Sequence, residues 1–353
     1  MAETEVLNKS KIYGKKDMIP TPIPMINVAL SGEIDGGLTP GLTVLAGPSK
    51  HFKSAFSLIM ASAYQKKYPD GVVLFYDTEF GTPDSYFSTF DVDIERVIHT
   101  PITDVEQLKH DLMLQLNDLS RGDRVCIVID SIGNMASKKE VDDALDGKSV
   151  ADMTRAKAIK SLFRMVTPHL TLKDIPLIAI NHTYKEIGLY PKDIMSGGTG
   201  IMYSADNVWI IGRQQDKEGT EIQGYHFIVN VEKSRYVKER SKVPITVSWE
   251  GGVNKWSGLF DIAIEGNYIA KSGVGWYQMV DRETGELVGN KLRAKDIVDN
   301  DRIWSTILEK TDFKEFIKGK YKIGGKELQN GEHDSQQEAL VLDIESSLES
   351  EEG

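Results

Sequence analysis

The chain has almost no sulfur chemistry at its disposal. Its 353 residues include one cysteine, Cys126, so neither a disulfide framework nor a cysteine-based zinc site is available. That cysteine lies inside the apolar run VCIVI (125–129), where a free thiol acts as a small buried hydrophobe. The seven histidines show no metal-ligand spacing. Long apolar runs are also missing, and none approaches the ~20 residues of a membrane span. Residues 1–13, MAETEVLNKSKIY, offer no apolar core for a secretory signal. These absences point to a reducing, cytoplasmic setting without a membrane partner. Hydrophobic residues make up 40% and charged residues 27%. That balance suits a globular protein with one sizeable core and a smaller appendage.

The net charge of −11 is uneven. Residues 331–353 hold eight acids and no Lys or Arg, and removing those eight from the 53 leaves 45 acids against 42 bases. The body is therefore nearly neutral, and local basic patches remain open to a polyanion. The chain divides into an N-terminal arm (1–30), a core (31–260), a small C-terminal α/β module (261–328) and an acidic disordered tail (329–353).

Along the core the pattern alternates between strand and helix. Residues 43–46 read as a strand, 54–66 as a helix and 71–77 as a strand. A helix over 104–119 opens with a capping box, Thr103 to Glu106. A strand over 124–130, a helix over about 152–168 and a strand over 175–182 come next. Strands at 207–211, 225–232 and 243–249 close the series, with a turn around Gly219. The proline segment 19–25 reads as extended, and a helix is expected around 301–317. The fold class is α/β, a mostly parallel central sheet flanked by helices.

One stretch organises this pattern. After the strand come Gly47, Pro48, Ser49, Lys50, His51, Phe52, Lys53 and Ser54, and then a helix. Strand, tight loop ending in Lys-Ser, and helix is the layout of a phosphate-binding loop. Backbone N–H groups converge on an anion, the lysine supplies a point charge, and the hydroxyl holds magnesium. One glycine is absent: the pattern G-x-x-x-x-G-K-[ST] has Gly where this chain has Phe52. Taken alone, these residues leave a second reading, a surface turn that contains Lys and Ser.

Ligands of open parallel sheets collect at the carboxyl ends of the strands. Three further strands end there in polar residues: Asp77-Thr78-Glu79, Asp130-Ser131 and Asn181-His182. An acid after a run like VCIVI is placed to hold the water shell of a magnesium ion. Glu79 is placed to orient or deprotonate an attacking water.

Together with the loop, the segments LFYDTEFG, CIVIDSIGNMASKKE, NHTYKEI, MSGGTG and VEKSR, in that order, resemble the RecA-type strand-exchange recombinases. The likeness covers about residues 24–280, and a branch of the family carries the same Phe before the Lys. It implies a RecA-like P-loop ATPase core with ATP and Mg2+ as cofactors. Lys53 and Ser54 would hold phosphates and metal, Asp130 would support the metal, and Glu79 would be the catalytic carboxylate. Tyr86 matches the aromatic that stacks on adenine, and Trp256 falls where the family often has another aromatic near the base. His182 stands at the position of a γ-phosphate sensor. Lys233 and Arg235 match two cations that reach a neighbour's ATP, the second being Arg in place of Lys.

The resemblance also implies single-stranded and double-stranded DNA as partners, self-assembly into a helical filament, and a recombination mediator and single-strand-binding protein as further candidates. DNA would be held by residues 137–152, leading to Arg155, and by residues 183–200. The second segment includes Thr183, Tyr184 and Lys185, and its Gly197-Gly198-Thr199 matches a backbone-clamping turn. Lys157, Lys160 and Arg164 read as a solvated helix face. Only about 20 residues precede the proline segment, fewer than the family's docking helix needs. Two other readings stay open, a RecA-core ring helicase and an ATP-gated regulator without strand exchange.

Overall fold

The computed structural model describes residues 6–10, 16–147, 154–186, 193–198, 200–218, 221–248 and 252–324. In chain order the elements are α1 (Pro24–Ser31), β1 (Gly41–Gly47), α2 (Lys53–Lys67), β2 (Val72–Asp77), α3 (Asp84–Thr89), β3 (Val97–Pro101), α4 (Val105–Asp118), β4 (Val125–Asp130), α5 (Lys138–Leu145), α6 (Thr154–Lys173), β5 (Pro176–Lys185) and β6 (Asp193–Met195). They continue with α7 (Gly200–Ser204), β7 (Asn207–Glu218), β8 (Glu221–Ser234), β9 (Lys242–Ser248), β10 (Gly252–Val253), α8 (Leu259–Glu265), β11 (Ile269–Gly273), β12 (Trp276–Val280), β13 (Leu287–Leu292), α9 (Ala294–Val298), α10 (Asp301–Lys310) and α11 (Phe313–Tyr321).

One large sheet runs β10-β9-β8-β7-β1-β5-β4-β2-β3, with β6 paired to β5, and β11–β13 form a small antiparallel sheet. The strands β7, β1, β5, β4, β2 and β3 are parallel, while β8, β9 and β10 add an antiparallel wing. Successive strand residues face opposite sides, and the two cores follow that period. Leu45, Val73, Phe75, Cys126, Val128 and Ile178 join the α1–α2 side. Val44, Leu74, Ile127, Ile129 and Leu177 join the α4–α6 side. Cys126 is fully buried, and burial pushes its thiol up to about 12.

The structure departs from the sequence reading in several places, among them β7, which runs seven residues beyond its expected end to Glu218. Within the stretch expected to be an extended arm, Pro24 opens α1 at its first position and Gly32 closes it at φ 75°. All eight of its residues are buried, so it has no polar face to reveal a helical period. Helix α4 is capped by Asp104, which accepts from Gln107 N (2.8 Å), while Glu106 instead accepts from Lys138 N (2.8 Å). Helix α6 runs through Pro168 to Lys173. An internal proline costs about 3 kcal/mol, and the last turn is tied down by buried Leu170 and by Lys173, which donates to the carbonyls of Leu116 and Leu119. Strand β5 extends three residues beyond the expected end, through Lys185. The single helix expected around 301–317 is two, broken where Thr311 Oγ1 donates to Ile307 O (2.6 Å) and accepts from Phe313 N (3.2 Å). The expected turn at Gly219 and the acidic tail lie outside the described residues.

Candidate active site

Strand register assembles the site. Gly47 pairs with His182 across β1 and β5, and Asp77 pairs with Asp130 across β2 and β4. Four parallel strands thus bring the phosphate loop, Glu79, Asp130 and His182 to one edge. A cavity of about 480 Å³ opens there, lined by Ser49 to Ser54, Glu79, Tyr86, Asp130 and His182 among others.

The loop holds its shape from within. Lys53, 6% exposed, donates from Nζ to Pro48 O (2.7 Å), and His51 Nδ1 lies 2.9 Å from Ser49 O. Lys50 and Phe52 sit at φ 61° and 60°, the left-handed region that glycine would occupy without penalty. Each costs a side-chain-bearing residue roughly 1–2 kcal/mol. Phe52 recovers it by packing: its ring stacks on Phe227 (5.4 Å) and meets Phe56 (5.4 Å) and Phe90 (6.0 Å) edge-on. Such pairs contribute about 0.5–1.5 kcal/mol each. The missing glycine is thus replaced by an aromatic anchored on Phe56, Phe90 and Phe227.

Ser54, at the start of α2, donates from Oγ to Asp130 Oδ2 (2.6 Å). Burial pushes the Asp130 carboxyl up to about 6, against the Ser54 hydrogen bond, with Glu79 and Asp77 adding repulsion and Lys53 attraction. Burial also lowers the Lys53 ammonium, while Asp130 and Glu79 pull it back up. A partly buried hydroxyl–carboxylate pair of this kind fits a divalent cation.

Glu79 is held by three donors on Oε1: Ser131 Oγ (2.6 Å), His182 Nε2 (2.8 Å) and Asn134 Nδ2 (3.2 Å). The His182 contact, reinforced by Ser131 and opposed by burial, brings its carboxyl down to about 2, so it is ionised at neutral pH. The turn beneath it is fixed from both sides. Asp77 Oδ1 accepts from the N–H groups of Glu79 (3.1 Å) and Phe80 (2.7 Å). Thr78 Oγ1 donates to Ser131 O (2.6 Å) and accepts from Ser131 N (2.9 Å). The sequence reading missed Ser131, Asn134 and Thr78 as partners. The dipeptides Asp130-Ser131 and Asp77-Thr78 were the available signal.

Tyr86 lines the phosphate cavity and also a larger, mostly apolar cleft of about 860 Å³ beside it, whose walls include Phe52, Phe90, Tyr225 and Phe227. Trp256 lines neither; its indole is buried on Trp304 (6.4 Å) and donates to Asp301 Oδ1 (2.6 Å), while its neighbour Lys255 reaches the cleft.

The remaining expected residues fall elsewhere. Arg155 of α6 is engaged with its own chain, donating to the carbonyls of Met135 (2.6 Å), Ile132 (3.1 Å) and Gly133 in the segment after β4. Thr183, Tyr184 and Lys185 lie in the β5–β6 hairpin rather than in an open loop, with Tyr184 exposed and Lys185 paired to Asp193 (2.9 Å). Gly197 and Gly198 both have left-handed backbone, at φ 85° and 80°, and Gly197 rests against Ile159 of α6. Thr199 lies outside the described residues, as do residues 148–152 of the first DNA segment and 187–192 of the second. Lys233 Nζ donates to the carbonyls of Met202 (2.8 Å) and Tyr203 (3.1 Å) on α7, and Arg235 pairs with Asp206.

Comparison with known proteins covers nearly the whole chain. Residues 8–254 match the RecA N-terminal domain, and residues 256–317 match the C-terminal domain of the bacteriophage T4 recombination and repair protein. The Enterobacteria phage T4 recombination and repair protein is 51% identical over 325 residues, 91% of this chain and 83% of that protein. Protein RecA of Tropheryma whipplei is 26% identical over 276 residues, 76% of this chain and 60% of its own length. Protein RecA of Streptomyces avermitilis is 25% identical over 276 residues and is covered over 70% of its length.

Proposed function

Because the chain belongs to the RecA family of recombinases, we propose that it is a DNA-dependent ATPase that coats single-stranded DNA as a helical filament and exchanges it with homologous duplex. The observation that carries the ATPase reading is the convergence of Lys53, the Ser54–Asp130 pair and Glu79 on one cavity at the strand ends.

In this reading the loop N–H groups and Lys53 bind the ATP phosphates, and the apolar cleft beside Tyr86 takes the base. Among the described residues no group of three His, Cys, Asp or Glu side chains is gathered for a metal. Magnesium keeps most of its waters and uses substrate phosphates, so the Ser54 hydroxyl and Asp130 carboxylate suffice to hold it. When bound, the ion neutralises charge on the phosphates. Glu79, ionised and fixed by its three donors, orients the attacking water and accepts its proton. His182 touches Glu79 and begins the run into the β5–β6 hairpin. Hydrolysis and DNA occupancy of that hairpin would therefore be linked through one side chain.

Tyr184, Lys185 and the Gly197-Gly198 turn are the proposed DNA contacts, with duplex DNA, a mediator and a single-strand-binding protein as further partners. Among the described residues no helix is long and apolar enough to cross a membrane; the proposed setting is the cytoplasm, that of a host cell for a phage-encoded protein. The test is ATP hydrolysis with and without single-stranded DNA. A severalfold or greater stimulation is expected. Equal rates in both conditions would support the ATP-gated regulator instead.

A further inference from the structure

Both left-handed residues of the phosphate loop, Lys50 and Phe52, touch the β7–β8 hairpin, although Phe52 also packs on Phe56 and Phe90. Such backbone persists only where its surroundings over-determine it. Phe227 of β8 stacks on Phe52. Arg213 of β7, which pairs with Phe227 in register, donates from Nη1 to the carbonyl of Lys50 (3.0 Å). Its guanidinium lies over the Tyr225 ring, 4.5 Å from the centroid, on the same face of the hairpin. Other loop carbonyls are held from inside the loop, Pro48 by Lys53 and Ser49 by His51. The Lys50 carbonyl depends on a residue 163 positions away.

We infer that Arg213 is a positioning residue of the nucleotide site. In a trans peptide plane the N–H points opposite to the C=O. Anchoring the Lys50 carbonyl on the hairpin therefore turns the N–H of His51 away from the hairpin. His51 lines the phosphate cavity, so Arg213 fixes a phosphate-binding N–H without touching phosphate. The Tyr225 ring in turn holds the guanidinium flat, which a lysine cannot reproduce. This inference rests on the nucleotide reading above.

The test uses the full chain, with fluorescent ATP and ADP analogues for binding and DNA-stimulated hydrolysis for KM and kcat. Arg213→Ala should weaken both nucleotides alike and raise KM about tenfold, since one hydrogen bond from a charged donor is lost. Its kcat should stay within about twofold, because the loop binds ground state and transition state equally. Arg213→Lys should recover part of the affinity. Tyr225→Leu should lose about threefold, and the double variant should be no weaker than Arg213→Ala alone, as expected of two residues acting on one contact. Because Arg213 and Tyr225 also line the cleft assigned to the base, the same losses should appear with inorganic triphosphate, which has no base, and an unchanged triphosphate affinity would overturn the inference. Should Arg213→Ala fail to fold, Arg213→Lys and Tyr225→Leu carry the test. An unchanged KM in folded Arg213 variants, or a kcat loss at constant KM, would overturn the inference. A wild-type protein that binds no ATP would overturn the nucleotide reading and this inference with it.

Discussion

The two edges of the central sheet carry cations of different standing. At the carboxyl edge, Lys53 is buried, bonded to its own loop and within the influence of Asp130 and Glu79. At the amino edge stand Lys233 and Arg235. Ser234 pairs with Asn207, which lies beside Thr43 near the start of β1. Gly47 is four residues further along β1, about 13 Å at ~3.3 Å per residue, and the phosphate loop lies beyond it. A lysine side chain does not span that distance, so Lys233 cannot serve the nucleotide pocket of its own chain. The proposed role of Lys233 at a nucleotide therefore requires a second copy of the chain, in a head-to-tail contact where one surface meets a different one.

The contrast has measurable consequences. The largest is expected for Lys53→Ala, which should abolish hydrolysis and reduce ATP binding beyond detection in a calorimetric titration, because the phosphates lose a buried cation. A comparable binding loss for Lys233→Ala in the isolated protein would erase the distinction between the edges. Next comes Glu79→Gln, which should bind ATP within about twofold of wild type yet hydrolyse it roughly 10²–10⁴-fold more slowly, the range of general-base catalysis. Retained turnover would move the base elsewhere.

Asp130 offers a sharper, smaller test. Its folded-state pKa is raised from 3.8 to about 6, so the folded protein holds that proton more tightly than the unfolded chain. The cost of ionising it is absent below about pH 4, grows as the pH rises and is complete above about pH 6. Asp130→Asn should therefore stabilise the nucleotide-free protein at pH 7 by about 2–3 kcal/mol, with the gain vanishing near pH 4 in denaturant titrations. A gain of the same size at both pH values would contradict the burial account. The smallest effect belongs to Lys233→Ala on ATP affinity at low protein concentration without DNA, expected within about twofold.

Much of this was legible in the sequence because each strand end announced its chemistry locally. Lys53-Ser54, Asp130-Ser131 and Glu79 follow apolar runs, and a parallel sheet necessarily gathers such ends. Helix α1 was not legible, since burial on every side removes the period that marks a surface helix. Nor was the role of Phe52, whose left-handed backbone depends on Phe227, 175 residues later. The partners of Lys233 were equally hidden: a charged strand end looks the same whether it faces solvent, its own chain or a neighbour. Arg155 carries a hidden contact of the same kind: read from the sequence as a DNA cation, it also braces the segment after β4 through its guanidinium.

The most direct test of the two-edge account is complementation between copies. Glu79→Gln and Lys233→Ala proteins should each be nearly inactive alone in DNA-stimulated hydrolysis. Mixed in equal amounts and assembled at random, about a quarter of head-to-tail contacts join an intact Glu79 to an intact Lys233. The account predicts recovery of about that fraction of wild-type activity. A mixture as inactive as its components, with filaments visible by electron microscopy, would contradict it.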